Sequence, residues 1–365
     1  MDNQTNKKYK MVLDENTNHF RIVALKDFFN VKKGDVGGLI QHEHNLSHKG
    51  NCWIYDNARV LGNARVYDNA QIWDNARVSG EAEVFGDAKI YNHSQIHDEA
   101  QVYDQAVVKD FAAVYAQARI CNSAQIHDNA QISDDACVSG EAKVFGDAKI
   151  YNQAQIHNKA QVYDQAVVKD FAEIYDKAEV YDNAVIYDHA RVFGNAKVYD
   201  DAVIDNHASV YDYAEVYENA HVYDYAEVFQ EAKIYGRAKV LGNAEVSGDV
   251  RIYQDAYVSN AMVYEKSEIF GDATINGDIE INSSARIGSG WDFVSFINFG
   301  SGNRTTSAFK IANGDIGVCC GCFNGTLKEF KLAVEDTHGN NIYGKEYQLI
   351  IELIEMRLNS FHEEM

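Results

Sequence analysis

Three histidines stand at equivalent places in a repeated motif and are the first candidates for chemistry. His97, His127 and His157 each follow Gln-Ile and are spaced 30 residues apart. An imidazole acts as a general base in acyl transfer when it lies in a partly enclosed position beside the acyl donor. Whether these three side chains could serve one site depends on the structure that the motif forms.

A cluster of cysteines near the C-terminus could bind a metal ion. The run Cys319-Cys320-Gly321-Cys322, together with His338, supplies thiolate and imidazole ligands of the kind that zinc prefers. Structural zinc sites contain four ligands in two spaced pairs, and the second pair is missing here. We favour cysteines on a buried strand over a metal site, so Cys319, Cys320, Cys322 and His338 stay weak metal candidates.

A six-residue repeat dominates the chain. Of the 34 positions reached from Ala58 to Ala256 in steps of six, 32 are Ala, and the residue two places later is Val or Ile at all 34. Residues two apart point to the same side of a strand, so each hexad has a small and a β-branched inward residue. The second residue after each Val or Ile is Asp, Asn or Gly at 30 of the 34 positions. These types tolerate a left-handed backbone, which predicts a corner after every short strand and therefore a coil.

These hexads resemble the hexapeptide repeat of left-handed β-helices, best known in acyltransferases. The resemblance implies three hexads in each triangular turn. A five-residue step from Ala256 to Ala261 shifts the phase, after which five further hexads bring the total to 39. The predicted fold is therefore mainly β, a left-handed parallel β-helix of about 13 triangular coils over residues 52–290. Residues 1–51 would form an N-terminal β cap, and residues 291–365 a C-terminal α+β cap or docking module.

Three hexads per turn bear directly on the candidate histidines. The histidines are five hexads apart, and five is not a multiple of three, so they would lie on three different faces. The uninterrupted hexads also leave no inserted loop to enclose a substrate. We therefore predict no catalytic residue. An acyltransferase that uses coenzyme A on a small acceptor, in a trimer, stays as an alternative.

One column of aromatic residues follows from the same arithmetic. Taking every third hexad, the residue after Val or Ile is aromatic in seven consecutive turns. Stacking of rings along a flat parallel sheet is the first interpretation, and an exposed stripe for self-association or a partner protein is the second. The column comprises Phe145, Tyr163, Tyr181, Tyr199, Tyr217, Tyr235 and Tyr253.

An internal duplication weakens the case for an enzyme. Val78 to Tyr115 and Val138 to Tyr175 match at 31 of 38 positions. The offset of 60 residues is ten hexads, so the copied surface is rotated onto the next face. An active site would not survive such copying, whereas a scaffold would.

Two end segments carry further resemblances. Residues 22–56, which include the runs Ile22 to Phe28 and Asn45 to Asp56, resemble the N-terminal part of the YdcK-like family, bacterial β-helix proteins described as putative acetyltransferases. The run Cys320 to Leu327 with Glu329-Phe330 resembles a small module of phage and mobile-element proteins. In this module the sequence predicts a hairpin at Asn313-Gly314 and two helices. The second is predicted over Lys345 to Leu358, with Leu349, Leu353 and Met356 on one apolar face.

Charge and composition narrow the function. The net charge of −22 disfavours nucleic acid and anionic membranes as partners. Six unpaired cysteines and a polar N-terminus without a signal sequence indicate the cytoplasm. We predict a non-catalytic acidic rod that acts as a scaffold for a protein partner or as a dimer or trimer, without a cofactor. The other alternative, an acidic mimic of DNA, has 34 acidic and 17 basic residues between Asp56 and Asn260, about half the charge density of DNA.

Overall fold

The computed structural model of the protein describes residues 7–282 and 284–359. It divides into two compact units, Met1–Asp188 and His189–Met365. Short parallel strands make up most of both units, and two helices follow an antiparallel sheet at the end of the second. The predicted mainly-β repeat structure with additional elements at each end of the chain is confirmed.

Three longer strands begin the first unit. Strands β1 (Tyr9–Asp14), β2 (His19–Ala24) and β3 (Val36–Ile40) are antiparallel neighbours in that order, and a short 3₁₀ turn, Glu43–Asn45, follows them. This is the predicted N-terminal β cap.

The solenoid begins inside this cap. Leu39 and Ile40 of β3 pair in parallel with the strand Arg59–Val60, and Leu46 forms a parallel bridge with Val66. The strand Trp53–Ile54 pairs in the same way with Gln71–Ile72. Residues 39–54 therefore form a first turn that lacks the Ala-containing hexad, and the expected boundary between residues 51 and 52 falls within it. This turn brings the total to about 14 rather than 13.

Short strands recur with the period of the sequence through the rest of the first unit. Among its described residues, 23 two-residue strands occur at intervals of six, from Trp53–Ile54 to Val185–Ile186. Within this unit, strands that are 18 residues apart pair in parallel, as Lys89–Ile90 does with Val107–Val108. A turn therefore contains three strands, and the column that starts at Trp53–Ile54 passes through eight turns of this unit.

The inward and corner residues behave as the hexad predicts. All 34 Val or Ile residues from Val60 to Val258 are at most 1 % exposed, and so are the residues two places before them. All 34 corner residues have a positive φ. The corners that are not Asp, Asn or Gly share this conformation: Ala116, Glu218, Gln230 and Gln254. The shape of the corner is thus imposed by the coil and not only by the residue type.

The second unit continues with the same kind of strand until the phase of the repeat changes. Strands recur every six residues from Arg191–Val192 to Arg251–Ile252, and Lys239–Leu241 has three residues. Two longer strands follow, β4 (Tyr257–Val263) and β5 (Thr274–Ile281), with Glu268–Ile269 between them and Arg286–Ile287 after them. The pairing of β4 with β5 shifts register between Ser259 and Ala261, where the sequence has its five-residue step. The described residues of this unit contribute six turns.

An antiparallel sheet and two helices complete the second unit. The sheet consists of β6 (Phe293–Phe299), β7 (Arg304–Lys310), β8 (Ile316–Cys320) and β9 (Phe323–Thr326), paired in that order. Helix α1 (Leu327–His338) begins at a capping box in which the Glu329 amide donates to Thr326 Oγ1 at 3.3 Å. Helix α2 (Ile342–Asn359) follows after Gly339. The two helices pack on the sheet around Val318, Phe330 and Ile354.

Candidate functional site

The three repeated histidines lie on three different strand columns. They follow the strands Gln95–Ile96, Gln125–Ile126 and Gln155–Ile156. These three strands belong to three different columns of paired strands. Every one of the imidazole rings stacks on an aromatic ring one turn later, with centroids 4.9–5.1 Å apart. The stacked pairs are His97–Tyr115, His127–Phe145 and His157–Tyr175. These side chains are members of ring stacks, and the structure does not bring them together.

His127 also lies near two carboxylates. Ligand atoms of Asp110, His127 and Asp128 are within 4.8 Å of one another, the single group of this kind in the described part of the chain. Hydrogen bonds within the group already use some of these atoms, since His127 Nδ1 is 3.1 Å from Asp128 Oδ2. Calcium requires six or more converging oxygens, so this corner is too sparse to assign as a metal site.

The cysteine candidates are separated by the geometry of a strand. Cys319 and Cys320 are adjacent on β8 and use different partners: Cys319 Sγ lies 3.1 Å from Asn282 Oδ1, whereas Cys320 Sγ accepts from Thr306 Oγ1 at 3.1 Å. Cys322 is exposed in the following turn, and His338 stacks on Tyr347 at 5.5 Å. Burial raises the pKa of the Cys319 thiol to about 12, which disfavours the thiolate that a metal would need. Within residues 7–282 and 284–359, these four side chains form no group with metal-ligand spacing.

The predicted aromatic column is a stack of parallel rings in each unit. In the first unit Phe145, Tyr163 and Tyr181 follow one another at 4.7 and 4.9 Å, with interplanar angles of 1° and 3°. In the second unit the rings from Tyr199 to Tyr253 are 4.9 Å apart at each step. Such spacing equals the distance between neighbouring strands, so each ring rests on the ring one turn away.

The column contains more rings than the sequence indicated. In the first unit His127 stacks on Phe145 at 4.9 Å, and Tyr55 stacks on Trp73 at 3.4 Å in the same column. In the second unit Phe270 stacks on Tyr253 at 5.4 Å. The phase shift after Ala256 hides Phe270 from a count in steps of 18, and a count restricted to Phe, Tyr and Trp leaves out His127. Allowing for the one residue that is missing from the repeat after Ala256 places Phe270 one turn after Tyr253.

Stacking limits what this column offers to a partner. The predicted rings are all half-buried, because neighbouring rings cover their faces and leave mainly the edges accessible. At the edge the hydroxyls meet acidic residues, as Tyr199 Oη donates to Glu215 Oε2 at 3.3 Å. Burial raises the pKa of Tyr217 to about 12, so its phenol is protonated near neutral pH. A role for the column in binding stays a prediction.

A different apolar surface is open on helix α2. The sequence marks Leu349, Leu353 and Met356 as one apolar face of this helix, and the structure leaves that face exposed, at 62 %, 48 % and 68 %. Ile342, 68 % exposed, lies on the same side. We call Ile342, Leu349, Leu353 and Met356 the α2 stripe. The side of the helix that packs on the sheet carries Tyr347, Ile350, Ile351, Ile354 and Leu358.

An apolar groove adjoins the α2 stripe. Its volume is about 500 Å³, and it shares Leu353 and Met356 with the stripe. Arg357 closes one side, with its guanidinium 3.7 Å above the Trp291 ring and a hydrogen bond to the Gly290 carbonyl at 3.1 Å. The other lining residues are Trp291, Phe293, Val294 and Phe296.

Charge distinguishes this region from the repeats. Residues 291–365 contain ten acidic and six basic residues, a net charge of −4. The repeat between Asp56 and Asn260 has a net charge of −17. These values are about −0.05 and about −0.08 charges per residue, so two copies of the chain repel each other less through the C-terminal module than through the repeat.

Comparison with known protein families identifies a part of the repeat. A family model described as the YdcK Beta solenoid repeat matches residues 54–68, which contain the strands Arg59–Val60 and Arg65–Val66. The chain is thus similar to that family in its repeat, and its structure is a β-solenoid. The match does not extend to the C-terminal module, and no curated protein matches the chain. Among the described helices, none is long and apolar enough to cross a membrane.

Proposed function

We propose that this β-solenoid protein is a non-catalytic scaffold that self-associates through the C-terminal module. The observation that carries the proposal is the α2 stripe: four large apolar side chains on one exposed side of a helix whose other side is already packed. Exposed apolar patches of this kind commonly mark protein interfaces. The partner that we assign to the stripe is the same helix of a second copy.

The spacing of the stripe suits pairing between helices. At about 100° per residue, positions 342, 349, 353 and 356 lie within an arc of about 60°, which is the narrow seam of a coiled coil. A symmetric dimer places the same patch of each copy in contact. In an antiparallel pair centred on Leu349, Ile342 of one copy lies opposite Met356 of the other.

Charges beside the seam agree with this arrangement. Lys345 and Glu352 are exposed and flank Leu349 at similar distances along the helix. In the antiparallel pair Lys345 of each copy comes near Glu352 of the other, which gives two opposite-charge contacts by symmetry. A parallel pair would instead bring Lys345 near Lys345 of the other copy, and Glu352 near Glu352 of the other copy.

The adjoining groove adds to the contact area. Ile342 and Tyr343, which are 68 % and 41 % exposed, would reach the groove of the second copy beside Met356. Burying one such side chain removes roughly 60–120 Å² from water. With Trp291 and the stripe, about six side chains give roughly 400–700 Å² per copy, slightly less than the ~800 Å² of a standard interface. We therefore expect a dimer that dissociates on dilution.

Some finer features belong to the proposal. Three strands per turn support the triangular cross-section that the hexapeptide-repeat resemblance implies, and we retain its left-handed coil and the cytoplasmic location as proposals. Acyl transfer from coenzyme A, as in a YdcK-like acetyltransferase, has less support because the three histidines lie on separate columns. The charge count likewise gives mimicry of DNA less support than self-association.

Solution mass at several concentrations tests the proposal. We expect the mass of a dimer at high concentration and of a monomer after dilution. Leu349→Glu with Leu353→Glu should give a monomer at all concentrations, because the seam would then hold four buried carboxylates. Leu332→Glu is the matched control, since Leu332 is a 61 % exposed leucine on α1.

Charge exchange tests the orientation of the pair. Lys345→Glu should weaken the dimer, and Lys345→Glu combined with Glu352→Lys should restore it. A chain that is monomeric at every concentration would overturn the proposal. So would an oligomer that the double glutamate variant leaves unchanged.

A further inference from the structure

A basic pocket lies beside the N-terminal strands of this acidic chain. It has a volume of about 840 Å³ and is formed by two residues that precede β1, by the segment after β2 and by residues 43–50. Four of its eight lining residues are lysines, and one is acidic. The lining comprises Lys7, Lys8, Lys26, Phe28, Glu43, His48, Lys49 and Gly50.

Lys8 places a buried positive charge at this pocket. The side chain is 1 % exposed, and its ammonium donates to the Cys52 carbonyl at 2.7 Å and contacts Cys52 Sγ at 3.1 Å. Burial is the largest cause that lowers the Lys8 pKa, and the charge of Lys26 lowers it further. Within the described residues this ammonium contacts the carbonyls of Lys49, Gly50 and Cys52 and the Cys52 sulfur, and no carboxylate. The charge is therefore hydrogen-bonded but not neutralised by a counter-ion.

The single acidic residue of the pocket is already engaged. Glu43 Oε1 pairs with Lys7 Nζ at 2.5 Å and with His48 Nε2 at 2.9 Å. The Lys8 amide donates to His48 Nδ1 at 3.2 Å, so Nδ1 is an acceptor and Nε2 donates to Glu43. Lys26 and Lys49 show no ion pair within residues 7–282 and 284–359. The ammonium of Lys8 is buried beneath the pocket and bonded to backbone carbonyls, so Lys26 and Lys49 are the exposed lysines of the lining that have no ion pair among the described residues.

We propose that this pocket binds a small organic phosphate. Bringing like charges together disfavours the charged state, and an anion with two or more charges would offset this repulsion. Lysine binds phosphate as a point charge, and the ring of Phe28, with Lys8 Nζ 5.2 Å from its centroid, forms an apolar wall. A nucleic acid is a poorer match, because the strongly acidic repeats would repel a long polyanion. The ligand class is a compact di- or triphosphate.

Titration calorimetry with pyrophosphate and adenosine triphosphate tests this assignment on the full chain. Both should bind at one site, and the affinity should fall as salt is added. Citrate, whose charge is carried by carboxylates, should bind at least about tenfold more weakly, because its charges are more widely spread. Lys26→Gln and Lys49→Gln should each lower the affinity for pyrophosphate by about tenfold, the usual effect of losing one charge-assisted contact.

Matched lysines provide the control. Lys143→Gln and Lys239→Gln change exposed lysines of the repeat strands and should leave the affinity unchanged. Phe28→Ala should weaken binding of adenosine triphosphate more than binding of pyrophosphate. Absence of binding at millimolar ligand would overturn the proposal. It would also fail if citrate bound as tightly as pyrophosphate, or if the control variants lost as much affinity as Lys26→Gln.

Discussion

The aromatic column and the α2 stripe are both rows of large apolar side chains, but they differ in what covers them. In the column, rings one turn apart stack at 4.7–4.9 Å in the predicted series, so each ring face is covered by the same chain. On α2, Leu349 and Leu353 lie on the side away from the sheet and are 62 % and 48 % exposed. Rings of the repeat therefore cover one another. Helix α2 instead packs on the sheet and on α1 with one side and leaves the opposite side exposed.

The difference assigns separate roles to the two regions. Ring stacking in the solenoid contributes to stability, since each aromatic pair contributes about 0.5–1.5 kcal/mol beyond the area it buries. The α2 stripe is largely exposed in one copy, and we propose that a second copy covers it. Changes in the column should therefore affect unfolding, and changes in the stripe should affect mass.

The largest expected effect comes from removing two rings of the column. Tyr217→Ser with Tyr235→Ser removes three ring contacts, those with Tyr199 and Tyr253 and the one between them. We expect a loss of about 1.5–4.5 kcal/mol in the free energy of unfolding, measured by denaturant titration. The solution mass should not change.

The conservative variants Tyr217→Phe and Tyr235→Phe are the control, because they keep the rings and remove only the hydroxyls. They should retain most of the free energy of unfolding that the serine variants lose. If Tyr217→Ser with Tyr235→Ser lowered the solution mass and left the stability unchanged, the column and not the stripe would be the interface between copies.

Local sequence signals were sufficient to predict the solenoid interior and its corners. The inward residues and the left-handed corners depend only on the six-residue period, so even Ala116 takes a positive φ of 54°. The first turn was missed because Leu39, Leu46 and Ile54 occupy inward positions without the alanine that marks later hexads. The first turn is identified by the parallel pairing of β3 with the strand Arg59–Val60. The sequence of residues 39–54 alone does not show that pairing.

The C-terminal module shows a second limit of the sequence. Helix α2 carries apolar residues on more than one side, so periodicity alone marked Leu349, Leu353 and Met356 as a face without showing which side the sheet would cover. The structure places Ile350 and Ile354 against the sheet instead. The choice depends on β6 to β9, whose packing is a tertiary property. The different partners of Cys319 and Cys320 on β8 are likewise a tertiary property that the cysteine run alone does not show.

A smaller effect should follow from overfilling the solenoid interior. Ala160 is fully buried between neighbouring turns, and Ala160→Leu should destabilise the protein by about 1–3 kcal/mol because the close-packed turns cannot move apart independently. Thermal unfolding measures the change. Gln161→Leu, at the next position on the outward side, is the control and should change stability by less than about 0.5 kcal/mol. Equal effects from the two variants would show that the interior has unused space.

Alkaline pH should weaken the aromatic column. Burial raises the pKa of Tyr217 to about 12 and also raises that of Tyr235 above the usual 10. The folded state therefore favours the protonated phenol. Its contribution is complete below pH 10 and is lost as pH rises from about 10 towards 12. The melting temperature should fall over this range, and less so for Tyr217→Phe with Tyr235→Phe. An equal fall in this variant would place the pH dependence elsewhere.

The smallest expected effect concerns His127. Substitutions at this position distinguish a ring that only stacks from a catalytic base. The imidazole lies 4.9 Å from the Phe145 ring and nearly parallel to it, so His127→Phe keeps a ring in the same position. We expect a change in stability of less than about 0.5 kcal/mol in thermal unfolding, whereas His127→Ser should cost about 0.5–1.5 kcal/mol. Calorimetry with coenzyme A should show no saturable binding in the unmodified protein, because His97, His127 and His157 follow strands of three separate columns. Stoichiometric binding of coenzyme A that His127→Phe abolishes would instead assign this histidine to a site. Such a result would restore the acyltransferase alternative.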